Sequence, residues 1–111
     1  MNPGEDTAGA TLLVFVTCPA ADAETLAAAL VERRLAACVN QLPGVVSVYR
    51  WRGAVERGTE TLLIAKTTRA RYPELEAAVR ALHPYELPEV LAVSVASGLP
   101  SYIQWLHESV S

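Results

Sequence analysis

The chain is short of the residues that mark several common classes of protein. Its two cysteines, Cys18 and Cys38, form no Cys-x-x-Cys motif, and its two histidines are not at helical spacing, so a structural zinc site is not predicted. A net charge of −3 offers no basic surface for nucleic acid. No Gly-rich phosphate loop is present, and no apolar run reaches the ~18 residues of a membrane-spanning helix. We therefore expect no nucleic acid, membrane or organic cofactor as a partner.

The first ten residues, MNPGEDTAGA, lack the apolar core of a signal peptide and are predicted to be a flexible leader over 1–10. Residues 11–111 are enough for one domain with its own core. A chain without an export signal keeps its cysteines in a reducing compartment. We therefore expect free thiols and a cytoplasmic location.

Apolar patterning predicts an alternation of strands and helices. Runs rich in β-branched residues predict strands, and helix formers with apolar side chains at helical spacing predict helices. The predicted strands cover 11–19, the two arms of a long hairpin within 38–68, and 89–97, and the predicted helices cover 21–37, 72–83 and 100–109. Strand, helix, strand, strand, helix, strand is the order of the ferredoxin-like, or split βαβ, α+β sandwich. The third helix is an addition at the C-terminal end.

Local signals refine this expectation. Pro43-Gly44 interrupts the first arm of the hairpin and predicts a bulge or a bend. Arg57-Gly58 is the expected turn between the two arms. Asp22 is the expected N-cap of the first helix, and the last helix is expected to bury Tyr102 and Trp105.

The strands are apolar on both faces. Segments LLVFV, LLIA and VLAVSV lack the alternation of apolar and polar residues that is typical of a sheet with one solvent-exposed face. A short C-terminal helix is too small to cover the whole second face. A second copy of the same chain is the simplest cover, which predicts a homo-oligomer; an apolar monomer is the alternative.

Several segments together carry a family resemblance. AACVN, LPGVVSVYRWRG, LLIAKTTRARYPELEAAVRALHPYELPEVLAV and YIQWL occur in this order between about Thr11 and Glu108. In these segments the chain resembles the CutA divalent-cation tolerance family. The resemblance implies a ferredoxin-like fold, a tight homotrimer similar to PII signalling proteins, and an association with copper and other divalent cations. It implies no established enzyme activity.

The resemblance also implies candidate metal ligands. Some members bind copper through a cysteine in the first strand and a histidine pair before Pro-Tyr. In this chain Val16 stands at the cysteine position, and Leu82 precedes a single histidine. His83, Cys18 and Cys38 remain as possible copper ligands. Each has a plain structural alternative, since a histidine caps a helix end well and a buried cysteine behaves as a small apolar residue.

A second candidate site is a cleft near a subunit boundary. Lys66 alternates in phase with apolar neighbours and needs either solvent or a carboxylate partner. The resemblance places a pocket there that would bind a small anion or metabolite. Its predicted members are Lys66, Glu60, Tyr85, Glu86, Glu89 and Trp51.

Three functional hypotheses follow. The first is a trimeric cytoplasmic protein of divalent-cation tolerance with weak copper binding. The second is a PII-like trimeric signalling or scaffold protein whose intersubunit clefts bind a small ligand or a protein partner. The third is an enzyme using Lys66 and nearby acids, but no nucleophile–base set supports it, so a non-enzymatic protein is predicted.

Overall fold

The computed structural model describes residues 10–111, so nearly all of the predicted leader lies outside the described residues. No helix in this part of the chain is long and apolar enough to cross a membrane. The elements in chain order are β1 (Thr11–Cys18), α1 (Ala20–Glu32), β2 (Cys38–Trp51), β3 (Ala54–Thr68), α2 (Tyr72–Leu82), β4 (Leu91–Ser94) and α3 (Pro100–Ser109).

The four strands form one antiparallel sheet in the order β2-β3-β1-β4. β1 lies in the middle and pairs with β3 over its whole length, from Thr11 opposite Thr68 to Cys18 opposite Thr61. This arrangement confirms the predicted ferredoxin-like α+β fold with a long hairpin and an extra C-terminal helix.

One face of the sheet carries the hydrophobic core. Alternation along β1 places Leu12, Val14, Val16 and Cys18 on this face, and all four are buried. Helices α1 and α2 cover it with apolar side chains that include Ala23, Leu26, Leu30, Leu75 and Val79. This packing fixes the sheet and the ends of both helices, which later position the candidate site.

The opposite face of the sheet is only partly covered. At one end, α3 lies over it: Lys66 donates a hydrogen bond to the Tyr102 hydroxyl at 3.3 Å, and a second bond joins Thr11 to His107. Ile103 and Leu106 are buried on the inner side of α3, whereas Tyr102 and Trp105 are exposed. The prediction that the last helix buries these two aromatic residues is therefore wrong for the single chain. Helical periodicity places Tyr102 at the edge of the side that packs on the sheet, where it reaches Lys66, and Trp105 farther round the helix.

The hairpin has its turn five residues earlier than predicted. Arg52 and Gly53 both have positive φ, 50° and 84°, and they join Trp51 directly to Ala54. A two-residue turn with two positive φ values matches the twist of the strands. Gly58, the predicted turn residue, instead pairs with Ser47 inside the hairpin.

The predicted bulge is confirmed, because the register of β2 against β3 shifts between Leu42 and Val45. Gly44 has a φ of 77°, which a side chain would disfavour. Asp22, in contrast, is not the N-cap of α1. The helix begins at Ala20 after Pro19, and Asp22 lies in the first turn, where its negative charge still interacts favourably with the helix dipole.

β4 is shorter than the predicted strand over 89–97, since only Leu91–Ser94 pairs with β1. Beyond Leu91, the β1 carbonyl of Thr17 accepts a hydrogen bond from the His83 ring instead of a strand amide. The segment after α2 therefore leaves the sheet edge, and the space beside it becomes a cleft.

Candidate functional site

A cleft of about 460 Å³ lies between the hairpin and the segment that follows α2. Five of the six residues predicted for the cleft line it, and the sixth, Lys66, does not. The lining residues are Thr17, Ser47, Tyr49, Arg50, Trp51, Glu60, Tyr85, Glu86, Leu87 and Glu89.

The hairpin supplies one wall of this cleft. Ser47, Tyr49 and Trp51 alternate along β2, so they project from the same face. Glu60 projects from the same face of β3, because it pairs with Val45, which precedes Ser47 by two residues. The bulge before Val45 sets this register, and the hairpin thus places two aromatic rings and one carboxylate on one surface.

His83 positions the other wall. α2 ends at Leu82, and His83 turns the chain into extended geometry with a ψ of 137°. Its Nδ1 atom accepts a hydrogen bond from the Tyr85 amide at 3.1 Å, so this nitrogen carries no proton. Nε2 is then the protonated nitrogen, and it donates to the Thr17 carbonyl at 2.7 Å. Nε2 therefore holds the segment after α2 against β1, and Nδ1 fixes the path of that segment from His83 to Tyr85.

Tyr85 and Glu60 join the two walls. The Tyr85 hydroxyl donates a hydrogen bond to Glu60 Oε2 at 2.9 Å. Burial, together with the Glu60 carboxylate, raises the pKa of Tyr85 to about 12. The hydroxyl therefore stays protonated at neutral pH and acts as a hydrogen-bond donor.

A second carboxylate lies close enough to sense Glu60. Burial raises the pKa of Glu89, and the negative charge of Glu60 adds to this effect. At the mouth of the cleft, Arg52 and Glu86 form an exposed ion pair at 2.9 Å. Such an exposed pair adds little stability, but it ties the hairpin turn to the segment after α2.

Lys66 is not part of this cleft. It lies six residues beyond Glu60 on β3, about 20 Å along the strand, and its ammonium group contacts Tyr102 of α3. The sequence placed Lys66 on the correct face of β3 but could not show how far along the strand the cleft extends.

The three candidate metal ligands are not gathered at one point. Cys38 pairs with Lys66, whose partner on β1 is Leu13, so about 17 Å of strand separates Cys38 from Cys18. The two thiols also lie on opposite faces of the sheet, and both are unpaired, as predicted. Within residues 10–111, no group of three His, Cys, Asp or Glu side chains converges on one point.

Cys18 is also a poor ligand on chemical grounds. Its side chain is fully buried, and burial, followed by the charges of Asp22 and Glu60, raises the pKa of its thiol. Because metals bind the thiolate, a raised pKa weakens binding. The structure thus supports the apolar alternative for Cys18 and a positioning role for His83.

Sequence reasoning missed Tyr49, Arg50, Arg52 and Thr17 as neighbours of the cleft. The signal was present for Tyr49, which precedes Trp51 by two residues and must share its face. The ion pair of Arg52 depends on the position of the hairpin turn, which was predicted five residues too late.

Comparison with known proteins gives a consistent result. Residues 12–109 match the family described as CutA1 divalent ion tolerance protein. The chain belongs to the CutA family. The CutA protein of Thermus thermophilus, named a divalent-cation tolerance protein, is 49% identical over 98 residues, which cover 87% of this chain and 95% of the relative. Mouse CutA is 46% identical over 107 residues, covering 93% of this chain but only 60% of that longer relative.

Solved CutA structures share the fold. The Thermus thermophilus structure superposes with a TM-score of 0.89 at 47% identity, covering 91% of this chain and 99% of that one. The PII-like protein CutA of Nostoc sp. PCC 7120, in its apo form, gives a TM-score of 0.86 at 32% identity, covering 90% of this chain and 97% of that one. The family match over residues 12–109 runs from β1 to α3 and includes both walls of the cleft.

Proposed function

We propose that this CutA-family chain is a homotrimeric binding protein of divalent-cation tolerance that acts through the cleft between its hairpin and the segment after α2. The observation that carries the proposal is the convergence of Glu60, Tyr85, Glu86, Glu89 and Trp51 on one cavity. Perturbed titratable groups inside a preformed cavity are typical of ligand sites. Of the three hypotheses, the PII-like one with a ligand-binding cleft has the strongest geometric support.

Exposed apolar surface supports the trimer. Leu91 and Val93 of the short β4 are exposed on the sheet face that α3 leaves uncovered. The hairpin also exposes Val46, Val48 and Val55, which project from its other face. Contiguous apolar areas of this kind are covered by a partner in stable proteins, and closed symmetry lets copies of one chain cover each other.

Copper or another divalent cation is proposed to bind weakly through His83, with help from one cysteine or a carboxylate. Binding at His83 would break a hydrogen bond to either Thr17 or Tyr85. Binding at Cys18 would require a fully buried thiol to ionise. Each step costs free energy that binding at a preformed metal site would not require, so metal binding should be weak. The folded trimer is therefore expected to form without metal.

We propose no enzymatic activity. The cleft combines carboxylates with a Tyr85 hydroxyl that remains protonated at neutral pH, which suits binding better than nucleophilic attack. A cytoplasmic location is also proposed, and the two unpaired cysteines fit a reducing compartment.

Two measurements test this proposal. Light scattering at micromolar concentration should give about 36 kDa, three times the 11.9 kDa chain; a stable monomer would contradict it. Calorimetric titration of copper into the wild type, His83→Ala, Cys18→Ser and Cys38→Ser should give dissociation constants no tighter than about 10 μM, roughly −7 kcal/mol. Tight copper binding that His83→Ala abolishes would restore the metal hypothesis in place of the cleft.

A further inference from the structure

Within residues 10–111, the cleft contains a buried negative charge without a cationic partner. Glu60 is only 9% exposed, lines the cavity, and is hydrogen-bonded through Oε2 to the neutral Tyr85 hydroxyl. Arg52 pairs with Glu86 and Arg71 with Glu74, and neither of these ion pairs involves Glu60. A buried carboxylate is costly unless a positive charge approaches it.

The neighbouring groups increase this excess of negative charge. Glu89 lines the same cavity, and the two carboxylates repel each other, since Glu60 contributes to the raised pKa of Glu89. Arg50 also lines the cleft, but it alternates with Tyr49 and Trp51, which places its stem on the other face of β2. A positive group entering between Glu60 and Glu89 would therefore gain attraction from both carboxylates.

Three aromatic residues also line the cleft: Tyr49, Trp51 and Tyr85. The Trp51 ring already attracts one cation, because the Arg52 guanidinium lies 5.2 Å from its centre. Aromatic faces attract organic cations through the ring quadrupole and give apolar contact to the body of such a ligand. Aromatic rings do little for a hydrated metal ion, which requires oxygen, nitrogen or sulfur ligands.

The spread of the carboxylates also separates these two kinds of cation. A metal ion needs several ligands about 2 Å from one point, and no three acidic, histidine or cysteine side chains in the described chain converge in this way. Three carboxylates nevertheless line a cavity of about 460 Å³, a volume within the range of small-molecule sites. This arrangement fits an extended ligand better than a point charge.

We propose that the cleft binds a small organic cation, with an ammonium or guanidinium head between Glu60 and Glu89 and an apolar body against Trp51 and Tyr49. This inference rests on the proposed function, because it names the ligand class of the same cleft. It differs from the small anion or metabolite expected from the sequence, since Lys66, the cation that would have bound an anion, lies outside the cavity.

Benzylamine is a suitable probe because it joins an ammonium group to an aromatic ring, and benzyl alcohol is its uncharged counterpart of similar shape. Calorimetry at pH 7.5 on the intact protein should show saturable benzylamine binding at least tenfold tighter than that of benzyl alcohol. Glu89→Gln should weaken benzylamine binding at least threefold. Glu32→Gln, which removes the same charge from the exposed end of α1, should leave it unchanged.

A second variant tests the aromatic wall. Trp51→Leu should weaken benzylamine binding while leaving the tenfold preference for the charged probe in place. Equal binding of the two probes, equal effects of Glu89→Gln and Glu32→Gln, or no saturation by 10 mM (about −3 kcal/mol) would overturn the inference.

Light scattering on the same samples separates this inference from the proposed function. A trimer that does not bind benzylamine contradicts only the organic-cation inference. A monomer contradicts the proposed homotrimer, and benzylamine binding by that monomer would still support the assignment of the ligand class.

Discussion

The hydrogen bond from Tyr85 to Glu60 should stabilise the fold measurably. Tyr85→Phe removes only the hydroxyl, so the ring keeps its packing while Glu60 Oε2 loses its donor. A hydrogen bond to a charged group contributes about 1.5–3 kcal/mol when it is buried. The Tyr85 side chain is 40% exposed, so water can partly replace the hydroxyl. We therefore expect Tyr85→Phe to lower the free energy of unfolding by about 1 kcal/mol at pH 7.

The pH dependence of this difference follows from the raised pKa of Tyr85. The pKa rises from 10.0 to about 12 in the fold, which corresponds to at most about 3 kcal/mol by linkage and to less after solvent screening at a partly exposed group. Because the folded value is the higher one, this contribution is fully present below pH 10 and is lost as the pH rises through about 12. The gap in stability between wild type and Tyr85→Phe should therefore narrow over that range.

Denaturant unfolding followed by circular dichroism measures this gap, at one fixed protein concentration because the stability of the proposed trimer would depend on concentration. Tyr102→Phe is the control: Tyr102 has nearly the same exposure but only a long contact with Lys66, so its loss should change stability by less than about 0.5 kcal/mol. Equal effects of the two substitutions, or a gap that does not change between pH 8 and pH 12, would refute the reasoning.

Three further outcomes are expected. Gly53→Ala should destabilise the protein by about 1 kcal/mol in a thermal unfolding scan because its φ is 84°, whereas Gly58→Ala, in a strand with open space around it, should not. A larger loss of stability for Gly58→Ala than for Gly53→Ala would indicate a turn at 57–58 instead. His83→Ala should cost about 2–4 kcal/mol, with or without a chelator, because the half-buried Thr17 carbonyl loses its donor and the buried imidazole leaves a cavity. Glu89→Gln should raise stability slightly at pH 7 and less at pH 4, since a raised pKa means that ionisation of this carboxyl opposes folding at neutral pH; denaturant unfolding curves at both pH values measure this, and a loss of stability at pH 7 would contradict it.

The order of the elements could be read from the sequence, but the turn of the hairpin could not. Apolar period and length are strong signals for β1, α1 and α2: each observed limit lies within one residue of the predicted one, except the end of α1, which comes five residues earlier than predicted. The dipeptide Arg-Gly occurs at 52–53 and again at 57–58, and each is acceptable as a turn by itself. Only pairing over the full length of β2 and β3 selects the first, because it closes the arms from Trp51 opposite Ala54.

The cleft was predictable in its composition but not in its extent. The acidic residues and Tyr85 were recognised because they follow α2 within a few residues or project from β3 in phase. Lys66 fits the same phase, yet the period of two fixes only the face of a strand and carries no information on position along it. Lys66 lies outside the cleft, under α3, where it contacts Tyr102, and this contact joins residues 36 positions apart in the sequence.

His83 is the residue whose role changes most between sequence and structure. A histidine at a helix end beside acids and cysteines matches the pattern of a metal ligand. In the fold, one nitrogen donates to β1 and the other accepts from the Tyr85 amide, so the ring holds the segment that carries Tyr85 at a fixed distance from the hairpin. Tyr85 in turn meets Glu60 across the cleft. The width of the cleft therefore depends on the hydrogen bonds of a histidine that does not line it. A metal ion that bound His83 would break one of these hydrogen bonds and so loosen the cleft rather than complete it.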